Sequence, residues 1–152
     1  MSFDGQEIEV ERIPIKKTLY YVFADLMASK DTVRILADLN KAYPFASNEM
    51  ERRLQEALGP DNIDITNRAK QYISLGDAEK LGALMTEAQK LFDEKVAPMC
   101  PVELKSPVLH ATLKDARLQE YIYGGKVWDL RETALYSFWQ RMLKISNVFM
   151  TI

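Results

Sequence analysis

The chain has 152 residues, 47% of them hydrophobic and 28% charged, ordinary values for one globular domain with a real core and unlike those of a disordered chain. A net charge of -2 and a pI near 5.5 give no general attraction to nucleic acid or to an anionic membrane. No apolar run reaches the roughly 18 residues of a membrane span, and "MSFDGQEIEVER" lacks the pattern of a signal peptide, so a soluble, cytoplasmic chain without nucleic-acid or membrane partners is expected.

In chain order, Asp4-Gly5 reads as a turn between two short strand-like pieces, the second alternating polar and apolar from Glu7 to Val10. Such a hairpin has few partners of its own and reads as the continuation of a sheet begun earlier. Thr18 to Leu26, "TLYYVFADL", is a nearly unbroken aromatic and aliphatic run suited to a central strand. Asp31 caps a helix on which Val33, Ile35, Leu36 and Leu39 fall at helical spacing until Pro44. A second helix is capped near Ser47 or Asn48 and closed by Gly59-Pro60. A third runs from about Asp61 to Leu75 and stops at Gly76. A fourth starts at Asp77 and continues to Pro98, with Leu81, Leu84, Met85, Ala88, Leu91 and Phe92 on one apolar stripe. A fifth is expected around Val102 to Lys114, then a strand from Leu118 to Tyr123. The fold class is therefore α+β, a small antiparallel sheet with helices on one face.

Few residues offer chemistry. Cys100 is the only cysteine and sits in "APMCPVEL", apolar and proline-flanked, which reads as a packing position. His110 is the only histidine and has no nucleophile and paired acid in an evident constellation, so it reads as a surface or helix-packing residue. Glu87 with Asp93 and Glu94, and Asp61 with Asp64, read as solvated helix faces, and no metal site is expected. Gly124, Gly125 and Lys126 are the one local candidate: two glycines opening a loop, then a lysine, as in a phosphate-binding loop. A tight turn explains the same residues equally well.

Three segments carry a family resemblance: "YYVFADLMASKDTVRILADLNKAYPFA" from Tyr20, "LGDAEKLGALMTEAQKLFDEKVAPMCPVELKSPVLH" from Leu75 to His110, and "YIYGGK" from Tyr121 to Lys126. Phe3 to Gly5, "FDG", matches a piece ahead of the central strand. Together they resemble the C-terminal domain of GHMP-family kinases, the superfamily of galactokinase and mevalonate kinase, and within it a branch of bacterial sugar kinases. The resemblance implies a ferredoxin-like domain over residues 1–126 that forms part of an ATP-dependent small-molecule kinase. ATP and Mg2+ would be the parent enzyme's cofactors and a sugar or related alcohol its substrate, with Gly124, Gly125 and Lys126 near the nucleotide. The phosphate loop of the P-x-x-x-G-L-x-S-S-A type is not among these residues, so the chain is expected to be truncated ahead of its N-terminus and to have no activity or cofactor of its own.

After the lysine, the resembled branch continues G-V-G-S-Q-G-D-G-S, where this chain has "VWDLRETAL". Back-translation of the latter gives GTN TGG GAY CTN AGR GAR ACN GCN CTN. One G placed in front re-divides it as GGT NTG GGA YCT NAG RGA RAC NGC NCT, which permits the family's residues throughout. Residues 127–152 therefore read as a frameshifted tail, and both tryptophans, Trp128 and Trp139, fall within it. The tail nevertheless patterns as an amphipathic helix from about Leu130 to Ser146, capped by Asp129 and with Glu132 following. That helix is expected to cover the sheet or to pair with a second copy into a homo-oligomer. The alternative to a kinase portion is a non-enzymatic helical interaction module, which would have no reason to carry the match from Leu75 to His110.

Overall fold

The structure, a computed structural model, describes residues 2–4, 7–27, 29–127 and 133–138. Strands β1 (Ser2–Asp4) and β2 (Glu7–Glu9) form the expected antiparallel hairpin, with Phe3 opposite Ile8. Among the described residues they pair only with each other, as a sheet separate from the main one.

Strand β3 (Tyr20–Asp25) feeds a helical section that begins with α1 (Thr32–Asn40) and α2 (Glu49–Glu56). Local chemistry sets each start: Asp31 Oδ1 accepts from the Arg34 amide at 3.0 Å, and Asn48 Oδ1 from the Glu51 amide at 3.0 Å. Glu51 reaches back to the Ser47 amide at 2.6 Å, which completes a capping box at α2. The second helix does not close at Gly59-Pro60 as its sequence suggests. A π-helical turn over Ala57–Asp61 carries the chain straight into α3 (Asn62–Leu75). The wider turn displaces the carbonyl that a proline ring strikes in an α-helix, so Pro60 is accommodated without a break.

Gly76 does end α3, at φ 65°, with the Asp77 amide donating to Tyr72 O at 2.9 Å. Asp77 then caps α4 (Ala78–Leu91), which runs on through a π-helical turn at Phe92–Val96 and a 3-10 turn at Ala97–Met99. The single fifth helix expected over 102–114 is two short ones, α5 (Pro101–Leu104) and α6 (Pro107–Leu113), split where Pro107 restricts Ser106 to non-helical backbone. A further short helix, α7 (Ala116–Gln119), takes Leu118, where a strand was expected to start, and strand β4 occupies Ile122–Val127 instead.

The last described strand, β5 (Thr133–Phe138), corrects two expectations at once. The amphipathic helix proposed over 130–146 is a strand at these six positions, and the rest of that span lies outside the described residues. Among the described residues the strand order is β3-β5-β4, so β5 is central and β3 lies at an edge. Register runs Tyr20 opposite Phe138 to Asp25 opposite Thr133, and Gly125 opposite Tyr136. A strand pairs through its backbone, and "TALYSF" has no proline to interrupt either ladder. Both ladders are antiparallel, so β3 and β4 run parallel with β5 between them. The whole helical section is the crossover from β3 to β4, which makes this a split βαβ unit.

Two clusters form the core. One is helical, with Ile35, Leu54, Val96, Cys100 and Leu104 buried together, and the other joins Leu109 of α6 to Ile122 and Val127 of β4. Phe92 packs against both and ties the helices to the sheet. Consecutive residues Gly124 and Gly125 are both buried, and neighbours in a strand point to opposite faces. Edge strand β3 is exposed by comparison, with Phe23 at 56%.

Candidate functional site

The expected loop at Gly124, Gly125 and Lys126 is the interior of strand β4. Gly124 serves packing. A Cβ built on Gly124 would lie 1.9 Å from Gly82 O and 2.5 Å from Thr86 Oγ1, both on α4. Only a glycine at position 124 permits that approach. The space a phosphate would need at Gly124 is filled by helix backbone.

A second contact fixes the direction of the crossing. The Val127 amide donates to Gln89 Oε1 at 2.7 Å, and Gln89 is only 4% exposed. Gly82 to Gln89 is about 10.5 Å of helix, and Gly124 to Val127 about 10 Å of strand. Helix α4 therefore runs along β4 in the same sense. From Gln89 the polar chain continues: Nε2 donates to Asp93 Oδ1 at 2.9 Å, and His110 Nε2 lies 3.4 Å from the same oxygen. His110 joins α6 to the turn after α4, the helix-packing role its sequence context suggests. Gln89 was missed as a participant although its signal was present. It is a polar residue spaced four after Met85 and eight after Leu81, on an otherwise apolar stripe.

Lys126 is half-buried, and its Nζ donates to Val127 O at 2.7 Å. Burial holds its ammonium below the ordinary lysine range. It lines a cavity of ≈ 880 Å³ bounded by β3, β4, α3 and α4, with Tyr21, Phe23, Ile73, Leu84 and Met85 among its walls. Lys30 lines the same cavity and donates to the buried Ser106 Oγ at 3.0 Å. Asp61, at the cavity's π-helical edge, is held by Lys95 Nζ at 2.6 Å, and Glu56 meets the same ammonium at 3.3 Å.

The remaining carboxylates are structural too. Arg68 grips Glu87 through two bonds of 2.7 Å and reaches Asp64 at 3.1 Å, which joins α3 to α4. Cys100 is 1% exposed, and burial, then its contact with Asp38, pushes its thiol up, so it stays a protonated packing residue. Among the described residues, no group of three or more histidine, cysteine or acidic side chains could hold a metal ion, and no helix is long and apolar enough to cross a membrane. No protein-family model and no curated protein matches the chain.

Proposed function

We propose that the chain is the C-terminal portion of an ATP-dependent small-molecule kinase of the GHMP type, acting on a sugar or related alcohol, and that by itself it transfers no phosphate. The observation that supports this reading is the split βαβ order β3-β5-β4, with a helical crossover laid along β4. A ferredoxin-like sheet contains that arrangement and adds a further strand beside the first, the position of the exposed edge of β3. Phosphoryl transfer needs a phosphate cradle, a metal and a positioned acceptor. These residues carry no phosphate-loop motif, and Gly124 is occupied by α4. Of the three nucleotide-site candidates, Lys126 offers the one charged side chain, and a lone lysine is a weak phosphate partner.

In the same proposal, residues 127–152 are read out of frame after Lys126. The gene tests that directly: a single G restored after the Lys126 codon should return a glycine-rich continuation, and an uninterrupted frame in the source DNA would refute it. Calorimetry with ATP and magnesium tests the kinase reading. The chain alone should bind at millimolar strength or weaker, about -4 kcal/mol, and show no turnover over a panel of sugars. Joined to a half that bears a phosphate loop, with the base restored, it should phosphorylate one of them. Micromolar binding or turnover by the chain alone would overturn its inactivity, and a restored, joined enzyme without activity would overturn the kinase assignment.

A further inference from the structure

We propose that the cavity between β3, β4, α3 and α4 binds an anionic amphiphile, a carboxylate or phosphate monoester on a linear hydrocarbon chain, with its head group at Lys126. The inference is independent of the kinase reading. At ≈ 880 Å³ the cavity falls in the size range of small-molecule sites, and its walls are mostly apolar. Tyr21, Phe23, Leu84, Met85 and Ala88 offer ring and methylene surface from both the sheet and α4.

Charge then selects the head group. Lys126 lines the cavity, and the one carboxylate among its described lining residues, Asp61, is already paired with Lys95. An ammonium has three donors, and among the described residues Lys126 makes one hydrogen bond, to the Val127 carbonyl, and no ion pair. A neutral hydrocarbon would bury that charge further without a partner, and a cation would oppose it. An extended peptide would bring backbone donors and acceptors against walls that cannot satisfy them. An anion with a hydrocarbon tail meets both requirements.

The test is calorimetry on the full chain with decanoate, decyl phosphate, decanol and decyltrimethylammonium, each below its micelle-forming concentration. Both anions should bind at least about tenfold more tightly than decanol, the scale of one hydrogen bond to a charged group, and the cation should not bind. Lys126→Met should remove the preference for anions while decanol binding persists. Lys126→Gln provides the same reading with the polar end retained, should the first variant fold poorly. Ala88→Trp should weaken all ligands by filling the cavity. Decanoate against decyl phosphate distinguishes a carboxylate from a phosphate head group. Equal binding of all four, no binding at all, or an anion preference that survives both Lys126 variants would overturn the proposal.

Discussion

Gly124→Ala places one methyl group where α4 already has a carbonyl. The added Cβ would lie 1.9 Å from Gly82 O and 2.6 Å from Gly82 C, whereas ordinary contact begins at 3.4 Å. Helix backbone cannot swing aside like the end of a side chain, so strand and helix must separate by roughly 1.5 Å. Overpacking of this kind costs about 1–3 kcal/mol. The same displacement stretches the 2.7 Å bond from the Val127 amide to Gln89 beyond hydrogen-bonding range. A buried amide left without its acceptor adds about 1–3 kcal/mol. Together these come to about 4 kcal/mol, a large part of the 5–15 kcal/mol that holds a typical domain together. Urea denaturation followed by circular dichroism measures the loss, provided the slope against denaturant is unchanged. Gly59→Ala is the control: nothing lies within 4 Å of its added Cβ, so it should stay within about 1 kcal/mol of the parent. If Gly124→Ala also stays within about 1 kcal/mol, the close crossing is wrong. A glycine serving a phosphate loop would give that opposite pattern, with stability kept and nucleotide binding lost.

Three further outcomes can be measured, at this crossing and at two other places in the chain. Gln89→Leu leaves the Val127 amide without its acceptor and should lower stability by about 1–3 kcal/mol in urea melts, with faster amide exchange at Val127. Met27 has a left-handed φ of 57° and is 89% exposed, so Met27→Gly should relieve backbone strain at no packing cost and raise stability by about 1 kcal/mol. The Arg117 guanidinium holds the Asp115 carboxyl down at about 2. A depressed folded value means that this contribution is present above the ordinary aspartate range and is lost as pH falls through about 2. A carboxyl NMR titration should find that midpoint, and Arg117→Ala should move it up part of the way, because the residue-117 amide still donates to Asp115 Oδ1; an unmoved midpoint would show that the guanidinium is not the cause.

What the sequence made legible is what local chemistry decides. Asp31, Asn48 and Asp77 cap helices because their carboxylate or amide oxygens reach amides three residues on. Gly76 ends α3 because only the chain around it is needed to require a left-handed residue. Gly59-Pro60 misled because a wide turn can absorb the ring that an ordinary helix rejects. Strand β3 reads as central from its apolar composition, yet position in a sheet is decided by pairing. Residues more than a hundred positions later supply its neighbour. The segment at 133–138 has the spacing of an amphipathic helix and also the aromatic and β-branched content of a strand. Flanking backbones on both sides resolve that ambiguity towards a strand, and no local pattern encodes them.

The candidate site teaches the same distinction at the scale of two residues. A pair of glycines followed by a lysine announces that something comes close to the backbone, but not what. The answer lies at Gly82, a glycine inside a long helix whose surrounding stripe is otherwise bulky. Gly124 alone reads as a loop, and its approach to the Gly82 carbonyl is what marks a crossing. Gln89 and Val127 repeat the logic in polar form, because a buried strand amide must find an acceptor and the helix supplies one at the right distance along its axis. These two contacts hold β4 against α4 and leave Lys126 beside the cavity. The lysine's chemistry therefore comes from the helix that packs the glycines, and a ligand for this chain should be sought along α4 and not at a loop.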